Sequence, residues 1–121
     1  MKGETSDRLD VLRERLSAFV QDRDWEQFHS PKNLAMAMIV EAAELVEHFQ
    51  WMTEQQSKDI APEKREQVSQ ELSDTFIYLL RMADVLRLDL IAAAHAKMDL
   101  NAQKYPADKV RGSNAKYTEY E

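Results

Sequence analysis

Cysteine is absent from the 121-residue sequence, so neither disulfides nor a thiolate metal site is available. Only two glycines and three prolines are present. Hairpin turns draw on those residues, which argues against an all-β fold. The longest unbroken apolar run, Leu34 to Val40, is far short of a bilayer span. Residues Met1 to Asp10 are polar and acidic and lack the apolar core of a secretory leader. A cytoplasmic location and no membrane partner are the expectations. Positive charge is also scarce. A net charge of −6 disfavours a duplex-nucleic-acid binder. It does not exclude a nucleotide substrate, because a bound metal ion reverses the sign locally.

What remains is a chain of ordinary globular character, 44% apolar, with a length suited to one domain over 1–121. Four helical stretches are predicted. The first runs from about Ser6 to Asp22, capped by Thr5 or Ser6, with Leu9, Leu12, Leu16, Phe19 and Val20 at helical spacing. The second starts at Ser30-Pro31, a cap followed by a first-turn proline, and runs to about Met52. The third starts near Pro62 and carries Val68, Leu72, Thr75, Phe76, Leu79, Met82 and Leu86. The fourth runs from a cap at Asp89 to Lys104, where Pro106 forces Tyr105 out of helical geometry. Residues 106–121 are expected to form an extended tail. From Lys104 to Lys116, both included, there are four basic residues and one acid, either an anion-binding flap or a solvated end. The second helix is apolar nearly all the way round, which suggests a subunit interface.

The chemistry concentrates in four carboxylates. Eleven of the thirteen residues from Leu34 to Val46 are apolar, and the exceptions are Glu41 and Glu44. A spacing of three puts both on one helix face, with Cβ atoms roughly 5–6 Å apart. On the third helix Glu71 and Asp74 repeat the device beside Tyr78. No lysine or arginine lies within Leu34–Val46 or Glu71–Leu80 to neutralise them. Like charges on apolar surface repel and lose hydration. A hard divalent cation compensates for that, and Mg²⁺ suits oxygen ligands shared with substrate phosphates. Rival metal motifs fit less well. Glu26-x-x-His29, the sole Glu-x-x-His, falls between helices, and His-Glu-x-x-His is missing. No glycine-rich phosphate loop is present either.

Glu41-x-x-Glu44 followed by Glu71-x-x-Asp74 resembles the metal signature of the MazG-like nucleotide pyrophosphohydrolases. The flanking segments resemble the dCTP pyrophosphatase branch. They are Arg23 to His29, Glu44-Leu45 with Phe49-Gln50-Trp51, Glu71 to Asp74 with Tyr78-Leu79, Lys97 to Asp99 with Asn101, Tyr105-Pro106, and Lys116 to Glu119. The likeness runs in order from about residue 8 to 119. It implies an all-α, four-helix fold assembled as a homotetramer. It also implies Mg²⁺-dependent cleavage (Mn²⁺ substituting) between the α- and β-phosphates, in a house-cleaning role on nucleotide pools. By the same resemblance, Glu41, Glu44, Glu71 and Asp74 are the catalytic metal ligands, and Trp25 and Trp51 line the base pocket. Tyr78, Lys97, Asn101 and Lys104 lie near sugar and phosphates, and Lys116 closes over the triphosphate. One of the acids, Glu44 in the first instance, takes the proton of the attacking water.

Two departures stand out. Val40 occupies the place where many MazG proteins carry a second glutamate, as the dCTP branch also lacks that acid. Lys104 stands where an arginine is usual, so bidentate phosphate gripping is lost there. His29 is assigned to capping or packing, and His48 and His95 to no role. Two alternatives stay open: a broad or dUTP-type pyrophosphohydrolase, and a non-enzymatic helical interaction module whose acids set pairing specificity.

Overall fold

A computed structural model of the chain describes residues 4–114, with side chains from Arg8 onward. Every regular element among them is helical: α1 (Glu4–Asp22), a 3₁₀ turn (Glu26–Phe28), α2 (Pro31–Glu47), α3 (Glu54–Ser57), α4 (Pro62–Val85), α5 (Leu90–Lys104) and α6 (Ala107–Val110). The four long helices expected from periodicity are present in an all-α fold. No helix among the described residues is long and apolar enough to cross a membrane.

Local chemistry sets most of the boundaries. The Ser30 hydroxyl accepts from the Asn33 amide at 3.2 Å, and Pro31 fills the first position of α2, where a missing N–H costs nothing. Asp89 caps α5 in the same way through the Ala92 amide at 3.0 Å. Tyr105 closes α5 at φ −125° and ψ 68°, outside the helical region, as its place before Pro106 requires.

Three boundaries differ from expectation. Helix α1 begins at Glu4, so Thr5 and Ser6 lie inside it. Helix α2 ends at Glu47, five residues short of Met52. Its final carbonyls are taken up by a tightening coil, Phe49 and Gln50 both donating to Val46. A capping box between Thr53 and Gln56 then starts the separate α3. Residues 48–52 contain neither glycine nor proline, so no residue type announced this stop. The tail is not wholly extended, because Ala107–Val110 forms a helical turn once Pro106 has broken α5.

The chain divides into two compact units between Arg87 and Leu88. In the first, α4 packs against both α2 and α1. Its buried apolar residues are Val20 from α1, Leu34 from α2, and Leu80 and Ala83 from α4. That core is small, and much of the apolar surface of α2 stays outside it. Met36, Ile39, Val40 and Val46 are each more than half exposed. The second unit holds α5, which buries no residue.

Candidate metal centre and adjoining cavity

Side-chain pairs fix how α2 and α4 run. His48 meets Lys64 near one end, and Glu41 and Glu44 meet Glu71 further along. As the number on one helix falls, that on the other rises, so the helices are antiparallel. This arrangement brings one ligand oxygen from each of Glu41, Glu44 and Glu71 within 4.8 Å of the others. All three residues are half-buried.

The electrostatics follow from that crowding. Burial, then the charge of Glu44 and hydrogen bonding with it, pushes Glu41 above the usual carboxylate range. Burial, then hydrogen bonding with Glu44 and its charge, does the same to Glu71, and His48 offsets part of the effect. Glu71 Oε2 is buried and has no hydrogen-bond partner among the described residues. Its other oxygen lies 3.9 Å from His48 Nε2, and His48 Nδ1 is 3.3 Å from Lys64 Nζ. Lys64 and Glu71 thus face the two ring nitrogens of His48 from opposite sides. Three hard oxygen donors, mutually repelling and with one buried oxygen unsatisfied, fit a divalent cation with oxygen ligands.

Asp74 stands outside this tight group. It is exposed, but its charge still raises Glu41 and Glu71. It lines a cavity of about 420 Å³ together with Phe19, Trp25, His29, Ile77 and Tyr78. Trp25 is delivered there by the end of α1. The Trp25 amide donates to the Val20 carbonyl and the Asp24 amide to that of Gln21, a Schellman closure with Asp24 left-handed at φ 52°. Gln27 holds Asp24 through its carbonyl and carboxylate, at 2.9 and 3.1 Å. Trp25 then meets Phe19 edge-on, with ring centroids 5.7 Å apart.

The remaining expected site residues belong to other segments of the chain. Trp51 is 89% exposed and lies beyond the end of α2. Lys97, Asn101 and Lys104 belong to α5 in the second unit, with Asn101 half-buried and both lysines exposed. Lys116 lies outside the described residues. Two histidines and an arginine that sequence reasoning left aside do stand here. His48 follows Glu44 by four and Glu41 by seven, a same-face spacing that was legible. Arg81 follows Tyr78 by three and Asp74 by seven, and its Nε donates to His29 Nδ1 at 3.2 Å.

The model of the MazG-like family matches residues 36–120. dCTP pyrophosphatase 1 of Homo sapiens is 43% identical over 113 residues, covering 92% of this chain. dCTP pyrophosphatase 1 of Bos taurus is 42% identical over the same share. The chain spans 66% of the length of the human relative. A crystal structure of a pyrophosphatase from Archaeoglobus fulgidus superposes with a TM-score of 0.76 at 34% identity, covering 88% of this chain and 95% of that one. Crowded carboxylates on antiparallel helices, their two four-residue motifs and the span of these matches agree: the chain belongs to the MazG-like family.

Proposed function

We propose that the protein is a Mg²⁺-dependent nucleoside triphosphate pyrophosphohydrolase that releases a monophosphate and pyrophosphate, with dCTP or a related deoxynucleotide as substrate. The observation that carries this reading is the carboxylate cluster with its unpartnered Glu71 oxygen, set on the same helix as cavity residues Asp74, Ile77 and Tyr78. The names of the relatives point to the substrate class.

Glu41, Glu44 and Glu71 would hold the cation, and Asp74 would complete the set from the cavity side. When bound, Mg²⁺ supplies a Lewis acid for the phosphate oxygens and an acidified attacking water. Glu44, crowded by both other acids, would be the group that takes up a proton at its carboxylate. Trp25 offers its face to the base, and Tyr78 bounds the same space from α4. Lys97, Asn101, Lys104 and Lys116 meet sugar and phosphates, and Trp51 adds a second aromatic surface. The two compact units act as one domain, a reading supported by a family match that crosses their boundary. Exposed apolar stripes on α2 and α4 support a homo-oligomer, taken as a tetramer. A chain that trims nucleotide pools works in the cytoplasm, where they are held.

The test is hydrolysis of a nucleotide panel with Mg²⁺, with Mn²⁺ and with chelator. The expected products are monophosphate and pyrophosphate, with dCTP preferred. Diphosphate and phosphate, or no hydrolysis, would overturn the reading. Equal rates across bases would replace the dCTP preference by a broad specificity.

A further inference from the structure

Arg81 is a charged residue enclosed by the core, only 8% exposed. Its guanidinium is anchored on two sides. Nη1 lies 3.8 Å from Asp84 Oδ2, and Asp84 Oδ1 accepts from Arg13 Nη2 at 2.6 Å. Nε donates to His29 Nδ1 at 3.2 Å. A guanidinium has donors and no acceptor. His29 Nδ1 must therefore be bare, and a neutral imidazole with bare Nδ1 carries its proton on Nε2. Burial, and then the charge of Arg81, keeps His29 below its ordinary pKa, which preserves the neutral ring. His29 also lines the 420 Å³ cavity with Trp25, Tyr78 and Asp74. Whatever meets its remaining nitrogen there meets a donor and never an acceptor.

We propose that Arg81 is a positioning residue that locks His29 as an Nε2–H donor, and that this donor selects bases presenting a carbonyl oxygen or bare ring nitrogen to it. The inference rests on the nucleotide reading above. A base presenting an amino group at that point would set N–H against N–H and leave both donors unsatisfied, a stronger discrimination than apolar contact provides.

The first measurement needs no variant. Long-range ¹⁵N–¹H NMR spectra of the full chain near neutral pH report the tautomer of each of its three histidines. His29→Asn identifies the His29 signals by their loss. The expected result is protonated Nε2 and bare Nδ1 at His29. An Nδ1–H tautomer or an imidazolium would overturn the proposal.

In Arg81→Met the His29 tautomers should mix. KM for the preferred nucleotide should rise roughly 2- to 12-fold, the worth of one hydrogen bond, and by more than kcat falls. Binding of inorganic triphosphate, which has no base, should hold. Retention of both the Nε2–H tautomer and the base preference would overturn the proposal. If Arg81→Met fails to fold, His29→Gln and His29→Leu decide. Glutamine supplies an N–H near the same place and should keep part of the preference that leucine loses, and equal preference in both would overturn it. Absence of nucleotide hydrolysis by the parent chain would overturn the proposed function, and the base as acceptor with it. The tautomer still decides the role of Arg81 in that case.

Discussion

Glu71 carries a buried oxygen with no hydrogen-bond partner among the described residues, on a carboxylate that brings an oxygen within 4.8 Å of oxygens of Glu41 and Glu44. Folding therefore raises the pKa of Glu71 and of Glu41. The folded chain holds protons at a pH where the unfolded chain has released them. Their contribution to metal-free stability is fully present below the ordinary glutamate value of about 4.3 and is lost as pH rises through the raised values. In chelator, Glu71→Gln should melt above the parent near neutral pH, and the difference should close in acid. Excess Mg²⁺ should raise the melting temperature of the parent more than that of the variant. Hydrolysis should fall by more than the roughly 10- to 100-fold typical of losing an outer-shell partner. Parent-like turnover in Glu71→Gln would remove it from the ligand set. At the other end of the substrate, Trp25→Ala should weaken dCTP binding roughly 5- to 150-fold, the range of one aromatic–base stack, and leave inorganic triphosphate unaffected. Equal losses for both ligands would make Trp25 a packing residue.

At the scale of elements, two short devices place the cavity wall. Ser30 starts α2, and the Asn33 side chain donates to the Phe28 carbonyl at 3.0 Å, tying the 3₁₀ turn that precedes His29 to that start. Ser30→Ala should cost about 0.5–2 kcal/mol of unfolding free energy, measured in urea, the usual worth of a cap. An unchanged urea midpoint would show the cap to be redundant. Asp24 closes α1 in the left-handed region, a conformation tolerated by Asp and poorly by β-branched residues. Asp24→Val should cost about 1–2 kcal/mol and shift Trp25 fluorescence as the ring leaves Phe19. Loss of stability with an unaltered spectrum would separate the turn from the placement of the ring.

For the whole molecule, the notable quantity is apolar surface left outside the core. Met36, Ile39, Val40 and Val46 follow one another at three, one and six residues along α2, and Leu72, Phe76 and Leu79 repeat a helical stripe on α4. Contiguous exposed apolar surface of this kind marks an association site. Sedimentation should therefore show a tetramer, or at least a dimer, at micromolar concentration. Ile39→Glu should place an unpaired charge in the contact, at a cost of several kcal/mol, and raise the dissociation constant at least 100-fold. A compact, folded monomer of the parent chain would contradict the proposed assembly.

The presence of four long helices and the chemistry they carry were legible in the sequence, although the end of α2 at Glu47 was not. Apolar spacing, Ser30-Pro31, Asp89 and Pro106 each act within a turn or two of chain, so their consequences were legible before any packing was known. The same holds for the two carboxylate pairs, because three residues of helix always put both acids on one face. Only tertiary structure decided which of them meet. Antiparallel packing of α2 on α4 joined Glu71 to Glu41 and Glu44, left Asp74 at the cavity, and set His48 between Lys64 and Glu71. Arg81 shows the limit most clearly. Alone it is one charge in an apolar stretch, and its partner His29 lies 52 residues away. Pairing over such a distance follows from how helices pack, which no local pattern encodes.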